Sequence, residues 1–137
     1  MELQGSQQYS DYQQAIANLP KEYVPIEEDF LTRHEVEIAA IKEFLENKGG
    51  LHRISVDEYS VLCRVPSKDM LAKTSERSKK LDPIETDIDF VTRCLLYPSA
   101  ETFRGWIDNG APGLASSMAR KIFDLAKLNQ EAVAKKL

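Results

Sequence analysis

Apolar residues recur at helical spacing over most of the chain and at a spacing of two in one short stretch. The helical pattern covers residues 27–47, 68–80, 83–96, 100–108 and 114–135. Residues 52–65 instead alternate between apolar and polar side chains around an acidic Asp57-Glu58 turn, which is typical of two half-buried strands. The pattern therefore predicts an α+β fold, mainly α-helical, with one antiparallel β-hairpin at about residues 52–65.

Local signals at the helix ends support these boundaries. Ser67, Asp82 and Ser99 each stand where a short polar side chain caps the first turn of a helix. Pro83 suits the first helical position, because its fixed φ is already helical and its missing N–H would be unpaired there anyway. Lys48-Gly49-Gly50 ends the first helix, since glycine readily adopts the left-handed conformation found beyond helix C-termini.

The first 29 residues differ in character from the rest of the chain. They are acidic and rich in glutamine, and two prolines interrupt the helical pattern. We interpret residues 1–29 as an N-terminal arm, with a short helix at 11–19 followed by an extended stretch at 20–26. A poorly ordered terminus is the alternative interpretation. Residues 30–137 then form a single helical domain that includes the hairpin.

Charge is spread unevenly along the 137 residues, which carry 18 Lys+Arg and 22 Asp+Glu. Residues 1–50 contain 4 basic and 10 acidic side chains, whereas residues 51–80 contain 7 basic and 4 acidic ones. The net charge of −4 argues against a chain-wide electrostatic grip, so nucleic acid is not the expected partner. The predicted helix at 68–80 is the most basic element, and Lys79 and Lys80 end it. We interpret its charge as a solvated face, with an acidic protein partner or a small nucleic-acid-associated or regulatory binding module as the alternatives.

The chain contains few side chains that are suited to catalysis. Cys63 and Cys94 lie on apolar faces and are interpreted as buried core residues, and His34 and His52 as solvated side chains. None of the four stands at metal-ligand spacing, so we expect no metal, no cofactor and no enzymatic activity. The enzyme alternative centres on Cys63 or Cys94 as a reactive thiol.

The last predicted helices carry the candidate partner-binding residues. Trp106 and Phe103 are interpreted first as core, and alternatively as aromatic anchors of a partner-binding groove that Met118 also lines. Such a groove favours self-association, so a homo-oligomer is expected. No stretch approaches the ~18 consecutive apolar residues of a membrane span, and the start does not resemble a secretory signal. We therefore expect a cytoplasmic protein without a membrane partner.

Several short stretches follow one another in a fixed order after residue 50. They are Ile54-Ser55-Val56-Asp57, Val61-Leu62-Cys63-Arg64-Val65-Pro66, Asp82-Pro83-Ile84, Val91-Thr92-Arg93-Cys94-Leu95-Leu96-Tyr97-Pro98 and Gln130-Glu131-Ala132-Val133-Ala134-Lys135-Lys136-Leu137. This order of a hairpin, a strand ending Arg-x-Pro, an Asp-Pro-Ile helix start, a Cys-containing helix end and a charged tail resembles the small tail assembly chaperones of long-tailed bacteriophages.

The resemblance implies a non-enzymatic protein that acts in the cytoplasm of the bacterial host and is absent from the mature virion. Its implied partner is the phage tape-measure protein, kept soluble until the tail tube forms, with the tail tube protein as a further candidate. Phe103, Trp106, Met118, Lys79 and Lys80 are then the candidate partner-binding residues. A net negative charge suits this role, because it favours solubility at high expression.

Overall fold

The computed structural model describes residues 2–127 and 134–136, and this part of the chain is mainly helical with one antiparallel sheet. Its elements are α1 (Glu2–Ala17), α2 (Glu28–Arg33), α3 (Glu35–Leu45), β1 (Leu51–Val56), β2 (Tyr59–Arg64), α4 (Lys68–Ser78), α5 (Pro83–Cys94), β3 (Leu95–Tyr97), α6 (Ala100–Asp108) and α7 (Leu114–Leu125). The predicted α+β class is confirmed. Within the described residues, no helix combines the length and the apolar character needed to cross a membrane.

The predicted hairpin is present and its turn lies at the expected acidic pair. β1 and β2 pair antiparallel, with Val56 opposite Tyr59, and Asp57 turns the chain with a positive φ of 52°. Asp tolerates this left-handed conformation better than most residues, because its short side chain bonds the local backbone. The hairpin therefore closes without the glycine that such turns usually contain.

A third strand, which the sequence pattern did not predict, completes the sheet. β3 pairs antiparallel with β2, with Leu62 opposite Tyr97, so the strand order is β1-β2-β3. The helical pattern was extended to residue 96, but α5 ends at Cys94 and Leu95 already has extended backbone angles. The apolar residues Leu95 and Leu96 are compatible with both a helical and a strand pattern. Their stretch forms a strand because it pairs with β2.

The sheet forms a middle layer between two layers of helices. On one face, the first core cluster joins the hairpin to α5, α6 and α7 through these buried residues: Ile54, Val61, Cys63, Ile88, Phe90, Val91, Cys94, Phe103, Ile107, Leu114, Ala115, Met118, Ala119 and Ile122. On the other face, the second core cluster contains Tyr12, Ala15, Leu19, Ile26, Phe30, Ile38, Ile41, Leu45, Leu62 and Tyr97. β2 is therefore buried on both faces, whereas the pattern predicted a half-buried hairpin.

The N-terminal residues belong to this second layer. α1 begins at Glu2 rather than at residue 11, and it packs against α3. Tyr12, Ala15 and, just beyond the helix end, Leu19 are buried at helical spacing, whereas Gln7, Gln13 and Gln14 are exposed. Burial of this apolar stripe stabilises a helix that its own propensity would leave marginal. Residues 20–27, here called the strap, have no regular structure and contact all three strands of the sheet.

Two further boundaries differ from the sequence prediction. The helix expected at 27–47 is divided at His34, where the backbone leaves helical geometry at φ −113°. The last helix ends at Leu125 rather than at residue 135, because Lys127 adopts a left-handed φ of 63°. Residues 128–133 of that predicted helix lie outside the described part, and residues 134–136 are not helical.

Candidate interaction surface

Trp106 lies at the edge of a helix whose inner face belongs to the core. The Ser99 side chain caps α6 by accepting a hydrogen bond from the Thr102 amide at 3.2 Å. Phe103 and Ile107, four residues apart, then point into the first core cluster. Trp106 follows Phe103 by three residues and falls beside this face, so its ring is only half-buried.

Two tyrosines from other parts of the chain surround the Trp106 ring. The strap contributes Tyr23, whose ring meets that of Trp106 edge-on at a centroid distance of 4.8 Å. β2 contributes Tyr59, its first residue, at 5.0 Å. All three side chains are half-buried, and we call them the aromatic cluster. Such ring pairs contribute roughly 0.5–1.5 kcal/mol beyond their buried area, while their outer edges stay available to a partner.

A buried phenol fixes the strap beside this cluster. The Tyr97 hydroxyl accepts a hydrogen bond from the Val24 amide at 2.6 Å and donates to the Glu22 carbonyl at 3.2 Å. Burial raises the pKa of Tyr97, so the hydroxyl keeps its proton and its donor role at neutral pH. The Tyr97 ring also packs against Phe30 at 5.0 Å, which joins the strap to α2.

Two contacts from the hairpin complete the attachment of the strap. The Arg53 guanidinium donates to the Ile26 carbonyl at 3.1 Å, and the Ser60 amide donates to the Tyr23 hydroxyl at 3.4 Å. Burial, assisted by the charge of Glu27, raises the pKa of Tyr23. The position of Tyr23 against Trp106 therefore depends on several contacts between the strap and the sheet.

An open cleft of about 380 Å³ adjoins the aromatic cluster, between the hairpin turn and the loop before α7. Tyr59 belongs to both features, and Val56 and Leu114 add further apolar surface to the cleft. Asp57 and Glu58 line it from the turn and are exposed. The cleft thus places the half-buried side chains of Val56 and Tyr59 beside an acidic wall, which suits an apolar segment with basic residues at its side.

Phe103 lies in the core, as its first interpretation has it, and Met118, which was expected to line the groove, lies there too. Both side chains are 0% exposed. Phe103 lies three residues before Trp106 on α6, and Met118 lies on α7. The packing of both helices onto the sheet covers these two side chains completely. Of the three apolar candidates, only Trp106 reaches the surface.

The basic helix is partly neutralised within the fold. Lys73 pairs with Asp69 at 3.2 Å, and Arg77 pairs with Asp89 of α5 at 3.0 Å. Lys79 and Lys80 are exposed, and they form no ion pair with the residues that the structure describes. Lys68, the first residue of α4, is likewise exposed and without an ion pair among the described residues, so the free positive charge of this region lies at both ends of α4.

The stretches that carry the resemblance to tail assembly chaperones lie at the ends of elements. Residues 54–57 end β1 and form the turn, 82–84 begin α5, and 91–98 contain the passage from α5 to β3. The stretch at 130–137 lies mostly outside the described residues. Comparison with known proteins finds no matching family, no similar curated protein and no similar solved structure. The role of the surface must therefore follow from its own residues.

The two cysteines are buried, as expected from their apolar faces. Cys63 is 1% exposed and Cys94 is 0% exposed, and both are free thiols. Burial raises the pKa of both thiols, that of Cys94 to about 12. At neutral pH they are protonated, and a protonated thiol is a poor nucleophile. Among residues 2–127 and 134–136, no group of three His, Cys, Asp or Glu side chains is placed to hold a metal ion.

The histidines are less solvated than expected. His34 is half-buried against Phe30, at a ring distance of 4.7 Å, and its Nδ1 is buried without a hydrogen-bond partner. His52 is also half-buried, and its Nε2 donates to the Gly49 carbonyl at 2.7 Å. The irregular backbone between α2 and α3 turns His34 inward, and no periodic pattern in the sequence indicates this.

Sequence reasoning also missed Tyr23 and Tyr59 as members of the surface. Tyr59 and Val61 are two residues apart and therefore lie on the same face of β2. This spacing indicates partial burial of Tyr59 but does not identify the residue that it contacts. Tyr23 lies between two prolines, in a stretch without periodicity. Its contact with Trp106 joins residues more than eighty positions apart, and only the fold brings them together.

Proposed function

We propose that the protein is a non-enzymatic phage tail assembly chaperone of the host cytoplasm. It binds the tape-measure protein and keeps it soluble while the tail tube forms. The observation that supports this proposal best is the aromatic cluster beside an open cleft that Val56 and Tyr59 line. The order of motifs that resembles small tail assembly chaperones supports the identity of the partner.

A tape-measure protein is mostly long amphipathic helix, and an isolated copy exposes apolar stripes that favour aggregation. A helix bound in a groove covers such a stripe through anchors at positions i, i+3, i+4 and i+7. Tyr and Trp suit the groove side of this contact, because they provide a large amphipathic area at low cost in conformational entropy. Trp106 and Tyr59 are the anchors that the client contacts, and the cleft receives the next turn of its helix.

Co-expression with the tape-measure protein encoded in the same phage genome tests the function. We expect the soluble fraction of the tape-measure protein to rise and a complex to elute from a sizing column. Unchanged solubility together with the absence of a complex contradicts the chaperone function.

Substitutions then test the surface. Trp106→Ala and Tyr59→Ala each remove a half-buried ring, and loss of an aromatic anchor is expected to weaken the complex by at least about tenfold. Tyr9→Ala is the matched control, because Tyr9 is 49% exposed and lies on α1, in the other helical layer. Thermal unfolding of each variant shows whether it remains folded. A complex that survives both cluster substitutions in folded variants places the binding surface elsewhere and leaves the function standing.

The exposed Lys79 and Lys80 favour one alternative, a small nucleic-acid-associated or regulatory binding module. Phosphate contacts by these lysines would make binding to duplex or single-stranded nucleic acid steeply salt-dependent, and Lys79→Glu plus Lys80→Glu would abolish it. We expect no such binding at physiological salt, because the chain is acidic overall and Lys73 and Arg77 already have acidic partners.

A further inference from the structure

A long groove runs between α1 and α3, in the helical layer that contains the second core cluster. It consists of two concavities, of about 220 and 290 Å³, that share Asp11 and Ala40. Ala15 and Ala40 provide small side chains along the groove, which allow another backbone to approach closely. Val36 lines it as well and is 80% exposed, so an apolar side chain here has no partner among the described residues.

The charged residues that line the α1–α3 groove are all acidic. Asp11, Glu37 and Glu43 line it, and the lining includes no Lys or Arg. Asp11 accepts a hydrogen bond from the Gln7 amide at 2.8 Å, and Glu43 accepts one from Gln8 at 3.4 Å. These amides are neutral, and none of the three carboxylates forms an ion pair within residues 2–127 and 134–136. The groove therefore presents three uncompensated negative charges.

The outer face of α4 has the complementary pattern. Lys68, Ala72, Ser75 and Lys79 follow at positions i, i+4, i+7 and i+11 and are all exposed. Small side chains thus occupy the middle of this face, and a lysine stands at each end, with Lys80 beside the second one. Glu76 is exposed beside this face and has no ion pair among the described residues, so three lysines here stand against one glutamate. Lys68, like Lys79 and Lys80, forms no ion pair with the described residues. Met70 and Leu71 of α4 pack against the first core cluster.

These two surfaces cannot meet within one molecule, because the sheet separates them. α4 packs against α5 on one side of the sheet, and the groove lies in the layer on the other side. From their shape and charge we infer that α4 of one copy docks in the α1–α3 groove of a second copy. Ala72 and Ser75 face the small residues of the groove, and the lysines approach its carboxylates. This contact is heterologous, so each copy retains one free groove and one free α4, and association continues into a ring or a filament.

Sedimentation velocity at about 100 μM protein tests the association of the wild-type chain. We expect oligomers at ~50 mM NaCl and at least tenfold weaker association at ~500 mM NaCl, because salt screens the charges at the rim of the contact. A wild-type chain that stays monomeric at low salt overturns the proposal, as does an oligomer that salt does not weaken.

Charge reversal then identifies the two surfaces. Glu37→Lys plus Glu43→Lys makes the groove basic, and Lys79→Glu plus Lys80→Glu makes the end of α4 acidic. Each variant alone is expected to be monomeric, because its two surfaces carry charge of the same sign. A mixture of the two variants restores complementarity at both contacts, so oligomers that alternate the variants are expected to form.

Matched reversals at other exposed positions control for net charge. They are Lys21→Glu plus Lys121→Glu for the lysine pair, and Glu101→Lys plus Asp108→Lys for the acidic pair. Both controls are expected to associate as the wild type does. The proposal is overturned if the controls dissociate equally, or if the mixture fails to assemble. It is also overturned if the groove variant oligomerises normally and loses only the tape-measure protein, since the groove then belongs to the client.

Discussion

Replacement of Tyr97 by phenylalanine removes one hydroxyl and tests whether a buried phenol holds the strap in place. The hydroxyl accepts the Val24 amide proton at 2.6 Å and donates to the Glu22 carbonyl at 3.2 Å. A net hydrogen bond contributes about 0.5–1.5 kcal/mol, and a buried amide left unpaired costs about 1–3 kcal/mol. Water reaches part of the strap and replaces some of the loss, so we expect the free energy of unfolding to fall by about 1–2 kcal/mol.

Trp106 is the sole tryptophan of the chain, and it contacts the strap through Tyr23, so its fluorescence is a direct measurement. Urea unfolding of Tyr97→Phe gives the loss of stability, and acrylamide quenching of the native protein gives the exposure of the indole. We expect quenching to increase, because a loosened strap withdraws Tyr23 from the Trp106 ring.

Tyr9→Phe is the control for loss of a phenol, since the exposed Tyr9 hydroxyl accepts its hydrogen bond from the exposed Gln13 side chain, at 3.0 Å. Its expected effect is within about 0.5 kcal/mol. If Tyr97→Phe is as stable as this control and its quenching is unchanged, the hydroxyl does not secure the strap and the reasoning fails.

Two further predictions concern the thiols and a glycine. Cys63 and Cys94 are expected to resist a thiol reagent at neutral pH until the protein unfolds, and rapid labelling of the native protein would disprove their burial. Because burial raises the folded-state pKa of Cys94 from 9.0 to about 12, its contribution to stability is complete below pH 9 and is lost as pH rises towards 12. Urea unfolding between pH 7 and 11 should show a decline of up to about 1.4 kcal/mol per pH unit for each thiol, and Cys94→Ala should remove the contribution of one thiol from this slope. Gly49→Ala should destabilise by about 1–3 kcal/mol in the same assay, because φ is +96° and the new Cβ would lie 2.7 Å from the Val65 Cβ. Gly105→Ala, where nothing lies within 4 Å, is the control and should be neutral or stabilising.

Features that depend on neighbouring residues could be predicted from the sequence. Ser67, Asp82 and Ser99 each accept a hydrogen bond from a first-turn amide, as their positions before a helical pattern indicated. The hairpin was predictable because alternation of apolar residues and a short acidic turn lie within fourteen positions. The burial of Cys63 and Cys94 followed from the same periodicity.

Features that depend on distant contacts could not be predicted. β3 is a strand because β2 pairs with it, and α1 is stabilised by packing against α3, which begins more than fifteen positions after α1 ends. The candidate surface could likewise be predicted only in part from the sequence. Periodicity indicated that Trp106 and Phe103 lie close together on α6, but only the packing onto the sheet shows which ring remains accessible. The contribution of Tyr23 to that surface depends on the path of the strap.

The two-sided burial of β2 also has a consequence for how substitutions combine. Met118 and Ile41 lie in different clusters on opposite faces of the sheet, so their effects on stability should add to within about 0.3–0.5 kcal/mol. Non-additive pairs should concentrate at β2, where Leu62 faces one cluster and Val61 the other, and around the aromatic cluster. The two helical layers can therefore accumulate changes almost independently over evolution, while compensating changes are needed where the layers meet.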